Sequence, residues 1–68
     1  MRLSDKLLAL RREHHLTQQE LSQNLFLSQR AYNHYEKETT IPPLWRLLDI
    51  AKYYGITLSE LFEGVDRV

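Results

Sequence analysis

The sequence contains no cysteine, only two glycines and two prolines, and no long apolar run. The absence of cysteine excludes a disulfide framework and a thiolate metal site, and it is compatible with a reducing compartment. No stretch approaches the roughly 18 apolar residues of a membrane-spanning helix. The N-terminus also lacks the apolar segment of about seven or more residues that a signal peptide carries. We therefore expect a cytoplasmic protein.

The chain is also short and poor in the motifs of catalysis. Its 68 residues are expected to form a single domain over residues 1–68, which is a small scaffold for a catalytic cleft. His14 and His15 are adjacent and diverge on a helix, His34 lies elsewhere, and there is no HExxH pattern. No glycine-rich phosphate loop is present. We expect no metal site, no cofactor and no enzymatic activity.

A net charge is missing as well, because nine basic and nine acidic residues cancel. Nucleic-acid-binding domains tend to be basic, so this balance argues mildly against a nucleic-acid partner. The charges are unevenly distributed, however. Residues 1–37 carry six basic and four acidic side chains, a net +2, and residues 38–68 carry three and five, a net −2. The polar segment at residues 28–37 therefore lies in the half with the small positive excess.

What the sequence does contain is a series of short helical patterns, with no long alternation of period two. The first two helices have apolar stripes at helical spacing, formed by Leu3, Leu7, Leu10, Leu21 and Leu25. Capping boxes over residues 17–20 and 57–60 predict the starts of the second and fifth helices. Pro43 fits the first turn of the fourth helix and Gly55 its end, and the fifth is expected to end near Gly64.

The segment SQRAYNHYEK, residues 28–37, predicts an amphipathic third helix with Ser28 as its N-cap. At about 100° per residue, Ala31, Tyr32 and Tyr35 fall on one side. The other side carries no acid, and all of its members can donate hydrogen bonds: Gln29, Arg30, Asn33, His34 and Lys37. This side fits either a solvated face or a helix that lies against a negatively charged, acceptor-rich surface.

The spacing between the second and third helices favours the second of these interpretations. Residues 25–28 leave only three or four residues for the turn, so the two helices must cross steeply, as in a helix-turn-helix. In that motif the second helix enters the major groove of DNA. The base edges and phosphates of a duplex supply hydrogen-bond acceptors for the polar side chains of the third helix.

Three segments in order, LRREHHLTQQELSQNL, LSQRAYNHYE and IPPLWRLLDIAKYYGITLSELF, resemble the Xre/Cro-like family of phage-repressor helix-turn-helix domains. The resemblance extends from Leu3 to Phe62. It implies an all-α, lambda-repressor-like bundle of five helices and a sequence-specific, double-stranded DNA-binding regulator, usually a dimeric repressor. The family's buried positions fall on Leu21, Ser22 (normally alanine), Leu25, Leu27, Tyr32 and Tyr35.

The same resemblance implies which residues contact DNA, with residues 28–36 as the recognition helix. Base reading falls on Gln29, Arg30 and His34, with Asn33 as a less regular participant. Glutamine can pair with adenine and arginine with guanine through two hydrogen bonds each. Contacts to the phosphate backbone are expected from four residues outside this set, namely Gln18, Lys37, Thr39 and Thr40.

The resemblance also implies structural features around the recognition helix. The positions of Arg11 and Glu36 form a partly buried ion pair in the family. The family often has glycine where this chain has His15, Phe26 and Glu38, each just past a helix end. A left-handed backbone at a non-glycine residue costs about 1 kcal/mol. Either these helix ends use another geometry, or the chain tolerates that cost.

Exposed apolar residues leave a second kind of function open. The predicted fourth helix has a wide apolar face formed by Leu44, Leu47, Leu48, Ile50, Ala51 and Tyr54. Trp45 lies outside this face and could contact another protein, as in an antitoxin whose main partner is a protein. For a homodimer we expect the contact in the C-terminal third, at Tyr53, Ile56, Leu58, Phe62 and Val65.

Overall fold

The computed structural model describes residues 1–68, and its regular secondary structure consists of five α-helices. In chain order these are α1 (Leu3–Glu13), α2 (Gln18–Asn24), α3 (Gln29–Glu36), α4 (Leu44–Tyr54) and α5 (Leu58–Leu61). The predicted all-α five-helix bundle is therefore confirmed. None of the five helices combines the length and the apolar content that crossing a lipid bilayer requires.

The starts of α2, α3 and α5 and the end of α4 lie at the predicted signals, whereas Pro43 is the N-cap of α4 rather than a residue of its first turn. The Thr17 hydroxyl accepts a hydrogen bond from the Glu20 N–H at 3.0 Å, and the Glu20 carboxylate accepts one from the Thr17 N–H at 3.0 Å. Thr57 and Glu60 form the same reciprocal pair at the start of α5. Accepting these bonds lowers the pKa of both glutamates. Gly55 ends α4 in the left-handed conformation, with φ 69°.

One apolar core joins all five helices. Its center combines the leucine stripe of α1, the buried sides of α2 and α4, and the two tyrosines of α3, which pack edge to face with their ring centroids 6.2 Å apart. Ser22 is also buried, and its hydroxyl donates to the Gln19 carbonyl at 3.0 Å. The buried apolar side chains are Leu3, Leu7, Leu10, Leu21, Leu25, Tyr32, Tyr35, Leu47, Ile50, Ala51, Tyr54 and Leu61.

The apolar face of α4 is narrower than the sequence predicts. The sequence places Leu44 and Leu48 on the apolar face, but these residues are 62% and 49% exposed. The four residues of α4 that do face the core recur with helical spacing, at 47, 50, 51 and 54. Leu48 is rotated by about 100° from Leu47 and points away from them. Leu44 lies in the first turn, where no other element covers it.

The two ends of the chain pair with each other, a feature that the sequence did not indicate. The Leu3 N–H donates to the Arg67 carbonyl at 2.9 Å, and the Asp66 N–H donates to the Met1 carbonyl at 3.0 Å. These bonds form a single parallel β-bridge between Arg2 and Arg67. The bridge closes the bundle beside the first turn of α1.

The C-terminal third packs against the core more extensively than expected. Helix α5 ends at Leu61 rather than near Gly64, because the chain continues as a turn over residues 62–64. Four apolar side chains of this C-terminal third are half-buried against the core, namely Ile56, Leu58, Phe62 and Val65. Their main structural role in the single chain is therefore to complete the bundle.

Candidate nucleic-acid interface

Helix α3 has the two predicted sides. The Ser28 hydroxyl caps the helix by accepting a hydrogen bond from the Ala31 N–H at 3.1 Å. Tyr32 and Tyr35 are buried, which fixes the opposite side toward solvent. On that outer side Gln29, Arg30 and Lys37 are exposed, and Asn33 and His34 are half-buried. The four predicted base-reading side chains are thus brought together on one surface that carries no carboxylate.

The turn between α2 and α3 is as short as predicted and contains a left-handed residue. Phe26 has φ 57°, and its side chain is 95% exposed. The Leu27 N–H donates to the Ser22 carbonyl at 3.0 Å, which closes the end of α2. His15 and Glu38 also have positive φ, 54° and 67°. All three positions therefore keep the glycine-type geometry, and the chain tolerates a strain of about 1–2 kcal/mol at each.

The predicted ion pair is present and connects α1 to the end of α3. The Arg11 Nε donates to Glu36 Oε2 at 2.8 Å, and its Nη2 donates to Oε1 at 3.0 Å. The third nitrogen of the same guanidinium, Nη1, donates to the Leu16 carbonyl at 2.9 Å. The Glu36 side chain is only 5% exposed. This two-pronged geometry is the strongest form of an arginine–carboxylate contact.

The electrostatics of the pair follow from this geometry. Burial by itself raises the pKa of the Glu36 carboxyl, but hydrogen bonds from Arg11 and Gln18 outweigh it and hold the pKa below the ordinary value. The hydrogen bond with Glu36 raises the pKa of the Arg11 guanidinium. Burial, together with the neighbouring Glu36 carboxylate, raises the pKa of Tyr32 far above its usual range. The buried cluster is therefore charged but internally neutralised at neutral pH.

Gln18 belongs to the same network. Its Nε2 donates to Glu36 Oε1 at 3.0 Å, so the first residue of α2 is connected to the last residue of α3. The sequence predicts a phosphate contact at Gln18, and one amide hydrogen of its half-buried side chain remains available for that contact. The internal bond orients this amide before any ligand is present.

The loop after α3 is bonded to the helix through His34 and Thr39. The His34 Nδ1 lies 2.7 Å from the Thr39 Oγ1, and the Thr39 N–H donates to the His34 carbonyl at 3.2 Å. With Nδ1 engaged, Nε2 is the ring nitrogen that remains to face a ligand. Lys37 and Thr40, the other predicted phosphate-contacting residues near this loop, are exposed.

Arg46 is a supporting residue that sequence reasoning did not single out. Its side chain is only 15% exposed, and its Nη1 donates to the Leu25 carbonyl at the end of α2, at 3.3 Å. The guanidinium also stacks 4.5 Å from the center of the Trp45 ring. Arg46 thus connects α4 to the turn that precedes α3. Its place in the pattern, between Trp45 and Leu47, gave no signal of this contact.

Metal ligands are not assembled anywhere in the chain. No group of three or more histidine, cysteine, aspartate or glutamate side chains is placed to hold an ion. His14 instead bonds the Leu10 carbonyl through Nδ1 at 2.8 Å and stacks on Tyr54, with ring centroids 4.6 Å apart.

The α2–α3 pair, joined by a short turn, and the outward polar surface of α3 match a known domain. The family model described as helix-turn-helix aligns with residues 7–61, which include all of α2, α3, α4 and α5. The chain belongs to the helix-turn-helix family. This family comprises DNA-binding domains rather than enzymes, and it agrees with the Xre/Cro-like resemblance seen in the sequence.

Curated relatives of this helix-turn-helix chain are transcriptional regulators by name. The HTH-type transcriptional activator BcrR of Enterococcus faecalis is 31% identical over 68 residues, which are 100% of this chain and 33% of the relative. The cryptic phage CTXphi transcriptional repressor RstR of Vibrio cholerae is 36% identical over 58 residues, 85% of this chain and 52% of the relative. The HTH-type regulator YobD of Bacillus subtilis is 32% identical over 61 residues, 90% and 54%.

The chain spans only a third to about half of the length of these relatives. The names of the relatives cover both directions of regulation, since one is an activator and another a repressor.

Proposed function

We propose that this chain binds double-stranded DNA sequence-specifically, with α3 in the major groove, and that it regulates transcription as a dimeric repressor. The observation that carries this proposal is the outer surface of α3. It presents hydrogen-bond donors without a single acid, and the buried tyrosines on the opposite side hold it toward solvent. A net charge of zero does not oppose this, because the charge at the contact surface, and not the total, determines the local attraction.

Base reading is assigned to the donors on this surface. Gln29 and Arg30 lie in the first turn of α3, exposed and without an internal hydrogen bond or ion pair to hold them. A glutamine can pair with adenine and an arginine with guanine in the major groove. Asn33 and His34 lie one turn further along, where a neutral amide and an imidazole can read the next base pairs.

Backbone contacts are assigned to the residues that flank the reading surface. Lys37 is exposed at the end of α3 and supplies the only full positive charge among them. Gln18 at the start of α2, and Thr39 and Thr40 in the following loop, can donate uncharged hydrogen bonds to phosphates. These contacts would position the domain on the duplex and carry no base preference of their own.

Repression as the direction of regulation is supported by the phage repressor RstR, which shares 36% identity over 58 residues with this chain. A DNA-binding domain represses most simply by occupying a site that another protein needs. A reporter gene placed downstream of a DNA sequence that the chain prefers tests the direction of regulation. Lower expression when the chain is present is expected, and higher expression would contradict the repressor assignment.

Dimer formation is part of the proposal because two half-sites give more affinity than one. The domain measures 27 × 25 × 22 Å. Two copies can therefore lie side by side on half-sites about 34 Å apart, on one face of the duplex. The expected site is a twofold-symmetric sequence occupied by two copies.

Two surfaces are candidates for the dimer contact: the one predicted in the C-terminal third, and an exposed apolar group around the start of α4. In the predicted set only Tyr53 is classed as exposed, at 37%, and its hydroxyl accepts a hydrogen bond from Asn24 at 2.9 Å. A larger exposed apolar group surrounds the start of α4, where 49–62% of each side chain is accessible: Ile41, Leu44, Trp45 and Leu48.

Sedimentation of the wild type, Tyr53→Ser and Trp45→Ser at high micromolar concentration separates these two surfaces. A wild-type dimer that dissociates in only one variant assigns the contact. A wild-type monomer that binds as one copy per duplex would contradict the dimer.

The exposed group around Trp45 also favours the second candidate function, a protein-binding module such as an antitoxin. Under that alternative, Trp45→Ala removes activity in cells while purified protein still binds DNA normally. Under the proposal, changes in α3 remove activity in cells.

Selection of bound duplexes from a random library by the wild-type chain is the experiment that tests the proposed function. The expected product is one enriched sequence with two related halves. Recovery of no enriched sequence, at a protein concentration where the chain is folded, would overturn sequence-specific binding.

A further inference from the structure

Glu38 follows the recognition helix immediately and is held by two side chains from the beginning of the chain. The Arg2 Nη1 donates to Glu38 Oε2 at 3.2 Å, and its Nε lies 3.2 Å from Oε1. The Ser4 hydroxyl donates to Oε1 at 2.9 Å, and Ser4 is only 7% exposed. One carboxylate thus connects the loop after α3 to the first turn of α1.

The backbone at Glu38 is unfavourable for the residue that occupies it. With φ 67° it is left-handed, a conformation that glycine adopts without strain. The turn itself therefore does not need a side chain. The hydrogen bonds from Arg2 and Ser4 are what a glutamate adds at this position, and they offset the strain that it introduces.

The next residue in the chain is Thr39, whose hydroxyl lies 2.7 Å from the His34 Nδ1. The Thr39 N–H also donates to the His34 carbonyl, at 3.2 Å. A continuous set of contacts therefore runs from α1 through Glu38 and Thr39 to a ring on the outer surface of α3. Moving Glu38 would move the hydroxyl that orients this ring.

We propose that Glu38 is a positioning residue that determines specificity at one base pair. Held by Arg2 and Ser4, it fixes the loop so that Thr39 engages His34 Nδ1 and the ring presents Nε2 to the edge of a base. This inference rests on the proposed function, since it assumes that α3 reads DNA. It adds that the carboxylate acts through the loop and touches no nucleotide itself.

A purely electrostatic interpretation of Glu38 and the positioning role predict opposite effects on DNA affinity when the residue is replaced. A carboxylate near a polyanion repels it, so removing the charge of an idle Glu38 would strengthen binding to every duplex. The positioning role predicts weaker binding to the preferred duplex when Glu38 is replaced. The two interpretations differ in sign, which makes the residue testable.

The first measurement uses the free protein and does not depend on DNA. Thr39 amide exchange and the ring-nitrogen shifts of His34 are compared by NMR in the wild type, Glu38→Gly, Glu38→Gln and Ser4→Ala. Glu13→Gln is the control, because it removes an exposed carboxylate at the other end of α1. We expect faster Thr39 exchange and altered His34 shifts in the three test variants and neither change in the control. Wild-type values in Glu38→Gly and Ser4→Ala would overturn the proposal.

The second measurement is binding to the preferred duplex and to versions with single base-pair changes. We expect Glu38→Gly and Ser4→Ala to lose roughly threefold to tenfold in affinity, the range of one hydrogen bond, with discrimination reduced at one base pair only. Ser4→Ala leaves the charge unchanged, so its loss cannot come from electrostatics. Tighter binding of both Glu38 variants to all duplexes, with Ser4→Ala unchanged, would overturn the positioning role.

The two measurements distinguish this inference from the proposed function. If the wild type prefers no sequence, the proposed function fails, and the base-specificity part of the inference fails with it. The exchange data then still decide whether Glu38 holds the loop. If the wild type is selective and the Glu38 variants discriminate among the single base-pair changes as the wild type does, only the inference is wrong.

Discussion

The two ends of α3 differ in how they are held. In its first turn Gln29 and Arg30 are exposed, and no hydrogen bond or ion pair within the chain fixes their side chains. At its other end Glu36 is bound by Arg11 and Gln18, and His34 is engaged by Thr39. One end of a helix of eight residues is therefore free, and the other is connected to α1, α2 and the following loop.

This difference separates stability from recognition within one helix. Side chains that carry internal bonds contribute to the free energy of folding, and replacing them leaves buried partners unsatisfied. Side chains without such bonds can be replaced at little cost to folding. We therefore expect substitutions of the bonded side chains at the anchored end to destabilise the domain, and substitutions of Gln29 and Arg30 at the free end to change only DNA binding.

The largest effect on stability is expected at the anchored end, for Glu36→Ala. This change leaves the Arg11 guanidinium partly buried without its carboxylate, and we expect a loss of about 3 kcal/mol in the free energy of unfolding. Urea denaturation measures it. Arg30→Ala, at the free end, is the matched control and is expected to change unfolding by less than about 0.5 kcal/mol. Equal stability of the two variants would remove the distinction between the ends.

The anchored end also makes stability dependent on pH. The folded-state pKa of Glu36 is below its ordinary value of 4.5. Its contribution is therefore complete above that ordinary value and is lost as the pH falls through the folded pKa. We expect the gap in stability between the wild type and Glu36→Gln to be constant near pH 7 and to narrow below about pH 4.5. A gap that stays constant in acid would contradict the ionised pair.

A smaller effect is expected at the cap of the free end. Ser28→Ala removes the acceptor of the Ala31 N–H and is expected to cost about 1 kcal/mol in unfolding free energy. Thermal unfolding of Ser28→Ala beside Ser59→Ala, an exposed serine of α5, provides the comparison. A cost as large as that of Glu36→Ala would mean that the start of α3 is as strongly anchored as its end.

The smallest effect is expected at Lys37, just past α3. If its ammonium contacts a phosphate, Lys37→Ala weakens binding to all duplexes alike and flattens the log–log dependence of affinity on salt by about one unit. Gln18→Ala is also expected to weaken binding to all duplexes. It leaves the salt dependence of affinity unchanged, since glutamine releases no counterion. Because Gln18 also bonds Glu36, some of its effect will be seen in stability. An unchanged slope in Lys37→Ala would exclude the phosphate contact.

The sequence predicted the parts of this fold that depend on local chemistry. The capping boxes at Thr17 and Thr57, the glycine end of α4 at Gly55 and the serine cap of α3 are each formed by residues within a few positions of one another. The spacing of Tyr32 and Tyr35 likewise fixed the sides of α3. The Arg11–Glu36 pair came from the family resemblance, because 25 residues separate its members.

The features that the sequence missed depend on which surfaces meet in three dimensions. Periodicity classed Leu44 and Leu48 as apolar-face residues, but it cannot tell how far neighbouring elements extend over a helix. The contact of Arg46 with the end of α2 joins residues 21 positions apart. The sequence marks Glu38 only as a departure from the family's glycine. Its bonds to Arg2 and Ser4 could not be inferred without the bundle.

The most direct test of the central claim measures the affinity of Gln29→Ala and Arg30→Ala for the duplex that the wild type prefers, and for single base-pair variants of it. The account predicts that each variant loses roughly 1–3 kcal/mol of binding free energy on the preferred duplex and relaxes selectivity at particular base pairs. Thermal stability is expected to remain that of the wild type. Unchanged affinity and base preference in both variants, together with loss of activity in cells for Trp45→Ala, would contradict it.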